Sequence, residues 1–298
     1  MTMRITGRGA INPWECDQWG HLNVQFYAAK ASEAQAALAS LLGLVPSRLR
    51  GGAVALLPLT DRILFKRELR AGDTFFIRSG VRTISPQGTL ALASRMVNQE
   101  TGVESAAFET RWCWADLASA APQPWPEDVL GAALAVAGDL PQAPLPRPMA
   151  HAVPAATNLE RAQLTYRGSV QTWECDANGT APPRAHIARF ADCVPHLFRS
   201  MHMSKDELLQ RQLGSAALDY DIAYHQPMRV GQAVEIRSGL LDMGEKVFHF
   251  FHHLVDSSSA APITSIVVAA LFFDLVARKS VPVPDFVRRE GQILLARS

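Results

Sequence analysis

The feature that most constrains this chain is that it carries one long pattern twice. Arg8-Gly-Ala-Ile-Asn-Pro-Trp-Glu-Cys-Asp17 returns as Arg167-Gly-Ser-Val-Gln-Thr-Trp-Glu-Cys-Asp176, 159 residues later. The same shift carries Gly20 onto Gly179, Glu33 onto Asp192, Arg70 onto Arg229, Gly72 onto Gly231, and Ile77-Arg-Ser-Gly80 onto Ile236-Arg-Ser-Gly239. One register spans both halves without a gap. Chance supplies one tetrapeptide of common residues, but not two locked to one shift with Trp and Cys in the first. Each copy is far longer than a solenoid unit of about 20–50 residues, so the chain is a duplicated domain, not an array. The repeats are expected at 1–117 and 161–298. Between them, residues 118–160 hold eight of the 19 prolines, including Pro122, Pro124, Pro126, Pro141, Pro144, Pro146 and Pro148, and read as an extended, semi-stiff Pro/Ala-rich linker.

Composition agrees with two globular units. The 298 residues suit a pair of domains of about 100–200 residues each, and 48% hydrophobic against 19% charged residues is too apolar for a disordered chain. With 29 basic against 28 acidic side chains there is no excess field for a polyanion, which argues against a nucleic-acid or acidic-membrane binder. Cys16, Cys113, Cys175 and Cys193 show no Cys-x-x-Cys spacing and read as reduced thiols of a cytoplasmic protein. The N-terminus lacks the apolar stretch of a secretory signal. The longest apolar run, Ile263 to Leu275, is broken by Thr264, Ser265 and Asp274 and suits a buried strand rather than a membrane span.

Each copy shows the same order of elements. A strand (Arg4 to Trp14; Leu164 to Trp173) leads through the Asp-containing loop into a helical stretch, Val24 to Leu42 or Pro182 to Met201. The first of these is Ala-rich, with only Lys30 and Glu33 charged, and is expected to be wrapped on most sides. Four strand-like runs follow: Val54 to Phe65, Thr74 to Ile84, Leu90 to Asn98 and Val103 to Trp114, then Ala217 to His225, Ala233 to Leu241, Lys246 to Val255 and Ile263 to Leu275. One strand, one long helix and four meandering strands predict an α+β unit, an antiparallel sheet packed on a single helix.

Asp17-Gln-Trp-Gly-His21-Leu-Asn23-Val-Gln-Phe-Tyr27 resembles the Asp-x-x-Gly-His-x-Asn-Asn-x-x-Tyr signature of hotdog-fold acyl-CoA thioesterases of the 4-hydroxybenzoyl-CoA thioesterase type. Leu218 to Gly231 resembles the family's second strand and its following turn, for which the first copy has the weaker Glu68-Leu-Arg-Ala-Gly-Asp73. The resemblance implies two tandem hotdog domains, similar in layout to acyl-carrier-protein thioesterases. It departs from the signature at Val24, where the second Asn is expected. The second copy keeps Asp176 and Gly179 but places Thr180, Pro182 and His186 where His21, Asn23 and Tyr27 stand.

Thioester hydrolysis needs a base or nucleophile beside the acyl carbon, and donors aimed at the oxygen where charge develops. A loop entering a helix N-terminus offers both, through a loop carboxylate and unpaired N–H groups at the positive end of the helix dipole. Asp17 is the candidate nucleophile or general base; His21 would orient it or donate to the substrate, and Asn23 would position water or the thioester. Gly20, Tyr27, Asp176, Tyr220 and Tyr224 are weaker substrate-binding candidates, the last two only by analogy with hotdog sites that lie between two units. The competing reading is structural: Asp17 closing an Asx turn, Asn23 capping the helix, Tyr27 packing. His249 and His253 fall on one face of a strand and His252 on the other, which reads as sheet surface rather than a zinc site.

The function expected is hydrolysis of an acyl-CoA or acyl-carrier-protein thioester at one asymmetric site between the repeats, with no metal or cofactor. The chain would be a pseudo-dimer in itself, with further homo-oligomerisation left open. The alternatives are a hotdog enoyl-thioester hydratase or dehydratase, and a non-catalytic acyl-thioester binder.

Overall fold

A computed structural model describes residues 3–140 and 162–295. The chain divides into two compact units. Unit 1 is built from the first repeat together with Gln171–Ile187 and Pro227–Val230; unit 2 contains Ala188–Gln226 and the chain from Gly231 onward.

In unit 1 the strands are β1 (Arg4–Ala10), β2 (Val54–Phe65), β3 (Thr74–Ile84), β4 (Thr89–Asn98) and β5 (Glu104–Asp116), in the sheet order β1-β3-β4-β5-β2. The pairs are antiparallel throughout. Helix α1 (Val24–Leu41) packs on β1, β3 and β4. Its buried residues, Tyr27, Ala28, Ala31, Ala34, Gln35, Leu38 and Ala39, recur at helical spacing on one stripe, and only Glu33, Ala36 and Leu41 are exposed. Small side chains let the helix come close: a Cβ added at Gly7 of β1 would stand 3.3 Å from the Ala34 methyl. Gln35 is buried among them because its amide donates to Thr110 Oγ1 at 2.9 Å.

The stretch expected to run extended after β5 instead contributes a helix, α3 (Glu127–Val136), after the short α2 (Pro46–Leu49). Pro126 supplies the N-cap conformation and Glu127 and Asp128 favour the first turn. Trp125, Val129 and Ala133 then join Leu38, Leu42, Leu90, Leu92 and Trp114 in one cluster, the two indoles stacked at 5.8 Å. Burying a residue such as Val129 is worth about 1.5–3 kcal/mol, which outweighs any preference of a Pro-flanked segment for solvent. Pro141, Pro144, Pro146 and Pro148 lie outside the described residues.

Unit 2 repeats the plan with β6 (Gln163–Ser169), β7 (Leu213–Tyr224), β8 (Ala233–Met243), β9 (Val247–Asp256) and β10 (Pro262–Asp274) in the order β6-β8-β9-β10-β7, with the two-residue β11 (Ser280–Val281) on β10. Helix α4 (Pro183–Arg199), of which the part from Ala188 belongs to unit 2, corresponds to α1, and α5 (Lys205–Gln210) and α6 (Asp285–Gly291) complete the set. The single repeat register needs one correction. Ser79 pairs with Ser94 across β3 and β4, whereas the equivalent Ser238 pairs with His252, so from the fourth strand on the copies are offset by 158 residues. The second hairpin has a turn one residue shorter.

The histidines of β9 are also less superficial than their alternation suggests. His252 is fully buried, stacked on Phe190 at 5.6 Å, and His253 is buried on the opposite face. β9 is paired on both edges, and the burial of His252 and His253 on opposite faces shows that both of its faces are covered at these positions. His252 Nδ1 bonds to Ser238 Oγ, which bonds to Thr165 Oγ1.

Candidate active site

The loop that carries Asp17 is set up by what precedes it. After β1, Pro13–Glu15 form one 3-10 turn, closed by the Asn12 N–H donating to Glu15 Oε2 at 2.8 Å. Lys30 of α1 holds the other carboxylate oxygen at 2.8 Å. Burial pushes the Glu15 carboxyl up, but the Asn12 N–H and the Lys30 ammonium together hold it below the usual carboxylate range. The loop is thereby tied to the helix it feeds. The chain next folds back on itself, the Asp17 N–H donating to the His21 carbonyl at 2.7 Å and the Gly20 N–H to the Asp17 carbonyl at 3.0 Å. Gly20 sits at φ +77°, a conformation that costs a side chain but not glycine.

Within this turn Asp17 Oδ1 accepts the N–H groups of Trp19 at 2.8 Å and His21 at 3.2 Å. Its Oδ2 accepts no hydrogen bond among the described residues. Asn23 is the N-cap of α1, its Oδ1 accepting the Gln25 N–H at 3.0 Å. The Phe26 and Tyr27 N–H groups donate to the Asn23 carbonyl, whereas the Val24 N–H, at the first helical position, has no acceptor among the described residues. The Asx turn and the N-cap are therefore both present, and they leave one carboxylate oxygen and one helix N–H without partners among the described residues.

His21 does not turn its ring to Asp17. Its Nε2 lies 3.1 Å from Glu68 Oε2, and Arg70 Nη2 stands 3.5 Å from that same ring nitrogen and 3.6 Å from the carboxylate oxygen. Glu68 is the residue that sequence reasoning passed over: it opened a turn segment that matched the family poorly, and a lone Glu 47 positions beyond His21 gives no local signal. The signal that was present is tertiary, since the Leu22 N–H donates to the Leu69 carbonyl at 2.7 Å and brings the two segments side by side. Tyr27 is buried, its phenol donating to the Arg67 carbonyl at 3.3 Å and accepting from the Leu69 N–H at 3.2 Å. Burial pushes that phenol up; the Leu69 N–H opposes this, and the carboxylates of Glu68, Asp17 and Asp73 add to it.

The second loop, also in unit 1, is the same turn with different chemistry. Gly179 sits at φ +73°, and Asp176 Oδ1 accepts the N–H groups of Asn178 at 2.9 Å and Thr180 at 3.0 Å. Here the Thr180 hydroxyl, in the place of His21, donates to Asp176 Oδ2 at 2.8 Å. Pro182 and Pro183 replace Asn23 and Val24 and have no N–H to offer. Asn178 ties this loop to the end of α2, donating to the Leu49 carbonyl at 2.8 Å and accepting from the Gly51 N–H at 3.0 Å. The structure thus brings Asp17, Gly20, His21, Asn23 and Tyr27 together. Tyr220 and Tyr224 are buried strand residues of β7 in unit 2, paired with Val268 and Thr264, and burial pushes the Tyr220 phenol up.

The sequence model of the thioesterase-like superfamily matches residues 11–133 and again 170–291, and the chain belongs to that superfamily. Its class is that of thioesterase-like proteins built on tandem hotdog repeats. Among solved structures it is similar to an acyl-ACP thioesterase from Bacteroides thetaiotaomicron VPI-5482, with 15% identity, a TM-score of 0.66, and 89% of this chain and 96% of that one covered. It is similar also to the 12:0-ACP thioesterase from Umbellularia californica, with 11% identity, a TM-score of 0.66, and 89% and 93% covered. At such identities the likeness establishes the fold. No curated protein sequence matches it. No helix among the described residues is long and apolar enough to cross a membrane.

Proposed function

We propose that the chain hydrolyses an acyl thioester, carried on CoA or an acyl carrier protein, at a single site on the loop that runs from Asp17 into α1. The observation that carries this reading is the state of Asp17: one oxygen is anchored by two N–H groups and the other is left without a partner among the described residues. A carboxylate so held is oriented without being consumed, as a nucleophile or a base for water requires. The Val24 N–H, at the positive end of α1, supplies a donor for the oxygen that becomes negative as the carbonyl is attacked. Asn23 shapes the helix entry through its cap. His21, held beside Glu68, passes to the departing thiolate the proton that the attacking water gives up.

The experiment is free-thiol release from short, long and aromatic acyl-CoAs and from acyl carrier protein substrates, for wild type, Asp17→Asn and Asp176→Asn. Turnover that collapses only with Asp17→Asn supports the single-site reading. Saturable binding without turnover, unchanged by Asp17→Asn, would make the chain an acyl-thioester binder and return Asp17 to the turn.

A further inference from the structure

The Tyr27 hydroxyl lies between the two main-chain groups that flank Glu68, donating to the Arg67 carbonyl and accepting from the Leu69 N–H. Glu68 in turn stands 3.1 Å from His21 Nε2. Tyr27 is 4% exposed, and its ring meets Phe65 edge-on at 5.3 Å, so the clamp is fixed at its base. We infer that Tyr27 is a positioning residue: by holding the chain on both sides of Glu68 it aims that carboxylate at His21. With Glu68 accepting from Nε2–H, the neutral imidazole is expected in its Nε2–H tautomer. This rests on the reading of the Asp17 loop as the active site.

The second repeat serves as the control. The corresponding connection keeps its backbone course with no tyrosine. The Ala181 N–H donates to the Met228 carbonyl at 2.8 Å, as Leu22 does to Leu69 at 2.7 Å, and Thr180 bridges to Arg229 as His21 does to Arg70. The connection therefore folds without the hydroxyl. Three positions differ together: His186 for Tyr27, Pro227 for Glu68 and Thr180 for His21, while Gly179, Arg229 and Gly231 remain as in the first copy. The hydroxyl and the carboxylate it would act through are thus absent from the second copy together.

The test compares full-length Tyr27→Phe, Glu68→Gln and the double variant. Tyr27→Phe is expected to lower kcat about tenfold, the scale of one hydrogen-bonded group, with KM little changed. Glu68→Gln lowers kcat at least as far, and adding Tyr27→Phe to it costs nothing more, because the hydroxyl acts only through the carboxylate. Additive losses, an unchanged kcat in Tyr27→Phe, or a Tyr27→Phe chain that no longer folds would each overturn the assignment. A second readout needs no substrate: 15N spectra of histidine-labelled protein should show His21 as the single Nε2–H tautomer in wild type and as a mixture in either single variant. Tautomer mixing in a chain that cleaves no thioester would sink the proposed reaction and keep the positioning role. Turnover in wild type with a His21 signal indifferent to Tyr27→Phe would sink the positioning role alone.

Discussion

The loop at Asp17 and the loop at Asp176 close the same turn with the same carboxylate oxygen, around glycines at φ +77° and +73°. They differ in what is left over. In the first loop one Asp17 oxygen and the Val24 N–H have no partner among the described residues, and a His–Glu pair stands beside them. In the second, the Thr180 hydroxyl occupies the free oxygen, proline removes the helix N–H, and Pro227 stands in the place of Glu68. Trp-Glu-Cys-Asp, shared by both, is therefore the turn's own requirement. On the proposed reading, chemistry is marked by the groups that the turn does not consume.

The comparison breaks most directly at the carboxylate. Asp17→Asn keeps Oδ1 as an acceptor for the Trp19 and His21 N–H groups but removes the charge, and kcat should fall by about 10²–10⁴, the range for a positioned base. Asp176→Asn, measured in the same thiol-release assay, should leave kcat at the wild-type value. Equal losses would mean that the two loops contribute alike.

Val24→Pro imports one feature of the second loop into the first. Proline is well tolerated at the first helical position, and Asn23 before it already has φ −66° and ψ 143°, the extended conformation that a following proline demands. The thermal midpoint should hold. If the Val24 N–H stabilises the oxyanion, kcat should fall by about 10²–10³, as for loss of one such donor elsewhere. A folded variant with full activity would show that the oxyanion is stabilised from another direction.

How much of this was readable beforehand follows from the range of each interaction. The duplication and the strand–helix–meander plan rest on local patterns, so β2 and β3 run where alternation and turn residues place them. The Asx turn at Asp17 and the cap at Asn23 are also local, which is why both readings of those residues could be framed from sequence. Glu68 could not, because its link to His21 depends on one backbone bridge between segments far apart in the chain. Nor could α3, whose helix is stabilised by packing with Trp114 and Leu38 against the expectation set by nearby prolines. His252 shows the same limit: alternation assigns its face but not the fact that both faces of β9 are covered.

That histidine makes the two sheets respond differently to acid. Burial pushes the His252 imidazole down to about 3, with His253 adding to the effect, whereas an unfolded histidine titrates near 6.5. Below that pH the unfolded chain takes up a proton that the folded one refuses. The stabilisation is complete above about pH 6.5 and declines as pH falls toward 3, by at most about 1.4 kcal/mol per pH unit. The equivalent residue in the first repeat is Ser94, hydrogen-bonded to Ser79 at 2.8 Å, with no such proton to exclude. Hydrogen exchange at pH 7 and pH 5 should therefore show β8 and β9 losing protection while β3 and β4 keep theirs. His252→Ser should flatten that pH dependence whatever its cost in overall stability.

The smallest expected effect is at Thr180. Thr180→Val keeps the shape and removes the hydroxyl that closes Asp176 Oδ2, with an expected cost of about 1 kcal/mol in chemical denaturation, the usual net worth of one hydrogen bond. The change leaves Asp176 with one free oxygen, as Asp17 has, and so asks whether a free carboxylate in this turn is sufficient for chemistry. It should not be. Pro183 still offers no N–H and Pro227 no carboxylate, so Thr180→Val combined with Asp17→Asn should be as inactive as Asp17→Asn alone. Activity regained in that double variant would mean that the carboxylate alone makes the site, and that the helix N–H and the His21–Glu68 pair are scaffold.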